Sequence, residues 1–260
     1  MRAIIGFFGL NRSLRHTAAS IEACVYQPLR AAGIPLLRAA HVNVPAVLSN
    51  PRSGEVGPVA GCADLAALGL DLAEAEPQSD ETIADLLALG RAFPDAFGDE
   101  YRSLANLCHQ LRSLRRLWAM IERFRPRADD VVLLLRPDLL YLDPIDVAAD
   151  LAPLHANAAD LTVPAWQGWG GVNDRFAFCR PEAAALYTGR ADLFLDACLA
   201  IGAAHAECLL AYTIAAHRLR CRFTPIRAAR IRSDGRIALN DLSMLHAPRT
   251  AQPRCAKVDG

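Results

Sequence analysis

"DDVVLLLRPDLLYL", residues 129–142, decides how this chain is read. Val131 to Leu135 is an unbroken apolar run bounded by aspartates on one side and Arg136-Pro137 on the other, the pattern of a strand buried on both faces. Strands of that kind belong to sheets covered by helices, so the flanking sequence should alternate between strand and helix. Upstream, Leu104, Leu107, Leu111, Leu114, Trp118 and Ile121 step by three and four, predicting one long amphipathic helix over 99–124 that Pro126 ends. Its other faces carry Asn106, Gln110, Arg112, Ser113, Arg115 and Arg116, the composition of a solvated face. At the start of the chain "RAIIGFF", residues 2–8, reads as a buried strand, followed by the loop "GLNRS". Leu14, Ala18, Ile21, Val25 and Leu29 then fall at helical spacing, with Ser13 placed to cap the helix and Gly33 to stop it.

Downstream, helical patterning over 145–155 leads to "DLTVPAW" as a strand and "RFAFC" as another. "PEAAALYTGRADLFLDACLAIG" and "HAECLLAYTIAAHRL" read as helices, and "RCRFTPIRAARI" as a last strand region. Residues 38–98 fit the alternation poorly. "VNVPAVLSNPRSGEVGP" is rich in turn formers and "DLAALGLDLAEAEP" is short and alanine-heavy, so this stretch reads as an irregular insertion with one or two short helices. The expectation is one α/β domain over 1–260, a Rossmann-like, mostly parallel sheet flanked by helices, with a flexible tail around 245–260.

Composition narrows the function classes. The 260 residues are 53% hydrophobic, and 28 basic side chains balance 28 acidic ones, so no global field draws the chain to nucleic acid or to an acidic membrane. Every basic residue except Lys257 is arginine, which suits phosphate recognition and equally suits a GC-rich coding sequence. The eight cysteines include no C-x-x-C pair, and they read as small buried side chains in a reducing cytosol. The N-terminal apolar run is too short for a signal peptide, and no stretch approaches the roughly 20 residues that span a bilayer. A cytoplasmic protein without a membrane span is expected.

In open α/β sheets ligands sit at the carboxyl ends of strands, which singles out Gly9 to Ser13, Arg136 to Asp138 and Gly170 to Asp174. Asp138, directly after an apolar strand, is placed to hold a divalent cation or a ribose hydroxyl, or only to cap the turn after Pro137. No G-x-x-x-x-G-K-[ST], G-x-G-x-x-G or G-x-S-x-G occurs, which weighs against P-loop NTPases, dinucleotide dehydrogenases and α/β-hydrolases. The seven histidines show no ligand spacing, and apart from His205 they read as surface or interface residues.

"FFGLNRSLRHTAASIEACVYQPL", "NLCHQLRSLRRLWAMI", "VVLLLRPDLLYLDPID", "GGVNDRFAFCRPEAAALYTGR" and "HAECLL" occur in an order that resembles bacterial glycosyltransferase-like proteins of GT-A type fold. The resemblance covers most of the chain outside about 38–98 and the final 20 residues. It implies a nucleotide-sugar donor lying across the strand ends, a glycan, lipid-linked or small-molecule hydroxyl acceptor, and a role in polysaccharide biosynthesis. Where such enzymes carry Asp-x-Asp for the metal that bridges the diphosphate, this chain has Arg136-Pro137-Asp138. Asp138 alone could hold Mn²⁺ or Mg²⁺ with phosphate oxygens and waters, or Arg136 could neutralise the diphosphate without metal. Gly9, Arg12 and Ser13 are then the nucleotide loop. The Gly170-Gly171 pair would let backbone approach the sugar, with Asn173 and Asp174 gripping hydroxyls and Arg175 pairing with phosphate or Asp174; the alternative is a Gly-Gly turn with an Asx cap. His205 and Glu207 open a helix at the site, and Glu207 is the candidate general base, or else only a carboxylate favoured by the helix dipole. Two further functions fit the same residues: a sugar nucleotidyltransferase, disfavoured by the single glycine in "GLNRSLR", and an inert binding module that keeps the cleft.

Overall fold

The computed structural model describes residues 1–46, 48–50, 55–57 and 62–238. Its main sheet has seven strands: β1 Ala3–Leu10, β2 Leu36–Val44, β3 Leu72–Pro77, β4 Val131–Leu135, β5 Leu161–Pro164, β6 Ala177–Cys179 and β7 Cys221–Thr224. The order is β3-β2-β1-β4-β6-β5-β7, parallel throughout except for β6, which runs antiparallel to both neighbours. β6 reverses because the loop 165–176 carries no helix, and a parallel return needs a crossover. From β1 the chain builds outward through β2 to β3, then crosses back to lay β4 on the other side of β1. That reversal makes the carboxyl ends of β1 and β4 a topological switch point, the place where open α/β sheets bind ligands.

The helices that position the site are α1 Leu14–Ile21, α2 Arg102–Glu122, α3 Pro181–Thr188, α4 Phe194–Ile201 and α5 Ala206–Ala216. Alternation along β1 sends Ile4 and Phe8 toward Leu114, Leu117 and Ile121 of α2, and Ile5 and Phe7 toward Leu14, Ile21 and Val25 on the other layer. A Cβ on Gly6 would lie 2.8 Å from Leu117 Cδ2, so the glycine lets the long helix settle onto the strand. Strand β4 is buried at every position, as its unbroken apolar run requires.

The alternation of elements is as expected, but residues 38–98 are not an irregular insertion. They supply most of β2 and all of β3, both strands of the main sheet, as well as two 3₁₀ turns and a helix over Ala84–Arg91. The polar residues of β2 and β3 find partners on α2: Asn43 donates to the His109 carbonyl, Arg112 pairs with Glu76 and Arg116 with Glu74. The helix expected after Ser13 is broken by a π-helical turn at Glu22–Tyr26, and Ser13 makes no side-chain cap. The apolar stretch 181–201 is likewise split, into α3, a 3₁₀ turn and α4. The face of α2 read as solvated is only partly so. Ser113 is fully buried, accepting from the Gly9 N–H at 2.8 Å and donating to the His41 carbonyl at 2.8 Å. His41 and His109 are buried too, not surface residues.

Cys108, Cys179, Cys198 and Cys208 are buried, Cys24 and Cys221 partly so, and all six are free thiols. The tail at 245–260 lies outside the described residues, as do Cys255 and the side chain of Cys62. Among the described residues no single helix is long and apolar enough to cross a membrane.

Candidate functional site

The carboxyl ends of β1 and β4 meet through a buried ionic knot. Asp138, fully buried, accepts at Oδ2 from Arg12 Nε at 3.0 Å and Nη2 at 2.6 Å, and from Arg136 Nη2 at 2.9 Å. Its Oδ1 accepts from Arg136 Nε at 2.9 Å. Burial pushes the Asp138 carboxyl up, but the guanidinia of Arg136 and Arg12 outweigh it and hold the group well below the usual carboxylate range. The backbone around it is also fixed, since Thr17 donates to the Pro137 carbonyl at 2.6 Å and Ile231 N–H to the Asp138 carbonyl at 3.0 Å. At the end of β1, Asn11 Nδ2 and Ser13 Oγ are buried without a hydrogen-bond partner among the described residues.

The divalent cation that the resemblance implies does not fit this knot. Both Asp138 oxygens already face guanidinia, and among the described residues no three His, Cys, Asp or Glu side chains gather as a ligand set. A cation beside Asp138 would sit against Arg12 and Arg136, so positive charge here comes from arginine.

A chain of hydrogen bonds runs from this knot to the second half of the site. Arg136 Nη1 donates to Gln110 Oε1 at 3.4 Å, and Gln110 Nε2 donates to Asp174 Oδ2 at 2.6 Å. The same Asp174 oxygen accepts from Arg190 Nη2 at 3.0 Å. Arg190 is itself fully buried, with its guanidinium 4.4 Å from the Tyr187 ring centroid and Nη1 donating to the Tyr187 carbonyl. Tyr187 Oη returns a bond to the Asp174 carbonyl at 2.9 Å. α3 and the turn after it therefore clamp Asp174 at side chain and backbone together.

Glu207 stands at the start of α5, its side chain only 17% exposed and its carboxyl 3.4 Å from His205 Nδ1. Burial raises its pKa most, and the charge of Asp174 adds to that, so the carboxyl is pushed up to about 8. The helix dipole would lower it. Desolvation wins, and a cap-only role explains none of that shift. His205 stacks on Phe97 with centroids 5.3 Å apart, and burial lowers its pKa although Asp174 works the other way.

Gly170 serves the loop's backbone conformation and Gly171 its packing. Gly170 sits at φ +87°, and a Cβ on Gly171 would lie 2.1 Å from the Glu207 carbonyl oxygen. Val172 N–H donates to that same carbonyl at 2.9 Å, so the loop is docked on the first turn of α5. Asn173 staples the loop, donating to the Trp166 carbonyl at 2.6 Å and accepting from Arg175 N–H at 2.9 Å. This is the Asx-turn alternative, and it uses both ends of the Asn173 amide locally. Arg175 lies over the Trp166 ring at 5.1 Å. Trp169, half exposed at φ +46°, projects from the loop.

The structure thus brings Arg12, Arg136 and Asp138 into one knot and Asp174, His205 and Glu207 into a neighbouring one. It assigns Gly171 and Asn173 to shaping the loop between them. Sequence reasoning missed Gln110, Arg190, Glu55, Arg232 and Ser233. Gln110 was read as part of the solvated face of α2, but it is only partly exposed there.

Compared with known proteins, the chain matches no family model and no curated protein sequence. Among solved structures it is similar to mouse xyloside xylosyltransferase 1 in its apo form, at 14% identity and a TM-score of 0.40, over 86% of this chain and 84% of that one.

Proposed function

We propose that this chain is a glycosyltransferase that moves a sugar from a nucleotide-sugar donor to the hydroxyl of a glycan, lipid-linked or small-molecule acceptor. The observation that carries the reading is the polar chain Arg136–Gln110–Asp174, which runs from guanidinia at the strand crossover to a carboxylate whose charge is felt by Glu207. One end suits a diphosphate and the other suits proton transfer, and hydrogen bonds through Gln110 join the two.

In this mechanism the diphosphate lies against Arg12 and Arg136, whose charge compensates the leaving group as the glycosidic bond breaks. Asn11 and Ser13, with buried polar atoms free to bond, face the nucleotide. Asp174, held by Gln110 and Arg190, accepts from hydroxyls of the donor sugar or acceptor. Glu207 removes the proton of the attacking hydroxyl, which requires its ionised form. Within the site, the Glu207 carboxylate is regenerated when that proton leaves to solvent.

The experiment is release of nucleoside diphosphate from a panel of UDP-, GDP- and TDP-sugars, in the presence and absence of simple glycoside acceptors. Release from at least one donor supports the reading. Tight nucleotide binding with no release from any donor would leave a binding module in its place.

A further inference from the structure

Glu55 comes from the short strand Glu55–Gly57, far in sequence from the strand ends, yet its carboxylate is buried among their cations. Glu55 Oε2 accepts from Arg12 Nη1 at 2.8 Å and from Arg232 Nη1 at 2.8 Å, and Oε1 accepts from the Ser233 N–H at 3.1 Å. Two guanidinia and a backbone amide converging on one anion are the donors that a phosphate group uses. Arg12 is shared: its Nε and Nη2 grip Asp138 while its Nη1 faces Glu55, so this anion site adjoins the strand crossover. The C-terminal segment reaches it because Ala228–Arg230 pairs antiparallel with Leu139–Tyr141, directly after the Asp138 turn.

We infer that Arg12, Arg232 and the Ser233 N–H form a phosphate-binding site, which the Glu55 carboxylate fills as an internal stand-in for the diphosphate of the donor. The charge balance supports this. Among the described residues Glu55 pairs with both Arg12 and Arg232, so withdrawing it frees positive charge at two guanidinia for an incoming diphosphate. Burial lowers the Arg232 pKa most, and the nearby Arg12 charge lowers it further, the signature of cations crowded around a shared anion. An incoming diphosphate must therefore displace Glu55, and its apparent affinity is reduced by the fraction of molecules in which Glu55 holds the site. The identity of the anion rests on the nucleotide-sugar reading; the site itself does not.

The test is calorimetric titration of wild type, Glu55→Gln, Glu55→Ala and Arg232→Met with inorganic pyrophosphate and, separately, with UDP. Removing the competing carboxylate should tighten pyrophosphate binding roughly tenfold in both Glu55 variants, and Arg232→Met should weaken it by about as much. A parallel gain for UDP identifies a nucleoside diphosphate as the ligand; a gain for pyrophosphate alone assigns the site to the free anion. Unchanged or weaker pyrophosphate binding in folded Glu55 variants would overturn the proposal and leave Glu55 as a tie between segments. If neither Glu55 variant folds, a crystal of the wild type grown with pyrophosphate decides: the anion between Arg12 and Arg232 with Glu55 turned away supports the site, and Glu55 still in place overturns it. Tighter pyrophosphate binding without nucleotide-sugar turnover would remove the sugar-transfer reading alone. Turnover with unchanged pyrophosphate binding would remove the anion site alone.

Discussion

Glu207→Gln is expected to cut kcat by roughly a hundredfold or more while nucleotide affinity stays unchanged. The amide keeps the size of the side chain and its place in the first turn of α5 but cannot take a proton. Because burial and Asp174 push the carboxyl up to about 8, wild-type kcat/KM should climb with pH and level off above that value, whereas the variant should show no such rise. Stability should respond in a linked way. The folded carboxyl keeps its proton to about 8 while the unfolded one loses it near the ordinary carboxylate range, so stability is fully present at low pH and is lost as pH rises between the two. Glu207→Gln cannot ionise, so its Tm should match wild type in acid and exceed it at about pH 9. A stability difference without a kcat difference would show a buried acid that is not the base. Unchanged turnover and unchanged pH dependence together would remove Glu207 from the mechanism.

Asp138→Asn is the second large effect, and the structure turns it from a metal-site test into a stability test. Read from the sequence, the substitution should leave Tm within a few degrees. In the folded protein Asp138 is buried between Arg12 and Arg136, and Arg12 itself is only 6% exposed. Removing the negative charge leaves the Arg12 and Arg136 guanidinia crowded together in a buried site with Glu55 still on Arg12, a loss of about 3–5 kcal/mol and a fall in Tm of roughly 10 °C. Thermal melts of Asp138→Asn against Asp143→Asn make the comparison, because Asp143 pairs with a half-exposed Arg227 and should shift Tm far less. A melt within two or three degrees of wild type at Asp138 would contradict the knot as drawn here.

Asp138 also illustrates what could and could not be read from the chain. The strand before it is written in five consecutive apolar residues, and the rule that ligands gather at strand ends selects its polar neighbours without knowledge of the fold. Its pairing with Arg12 is not legible, because that arginine reaches it from a segment 126 residues earlier in the chain. Strands β2 and β3 were hidden for a related reason. Arg38, His41 and Asn43 interrupt one, glutamates alternate with alanine in the other, and the cations of α2 that satisfy the glutamates lie much later in the chain. The glycines before Asn173 were legible as a place of close approach, but the neighbour turned out to be the Glu207 carbonyl, something only the docking of α5 reveals. Glu207 was legible as a carboxylate opening a helix. Its raised pKa was not, since burial and Asp174 are tertiary facts.

The central claim is that the donor diphosphate lies on the arginines at the crossover of β1 and β4, with its sugar directed along Gln110 and Asp174 toward Glu207. A crystal structure of the protein with UDP or GDP, prepared without divalent metal, tests it most directly. The account predicts the diphosphate within hydrogen-bond distance of Arg12 and Arg136, the nucleoside beside Asn11 and Ser13, and the Glu207 carboxyl facing the open side of the terminal phosphate. A nucleotide bound away from the carboxyl ends of β1 and β4, or Glu207 turned out of the cleft that holds it, would contradict the account.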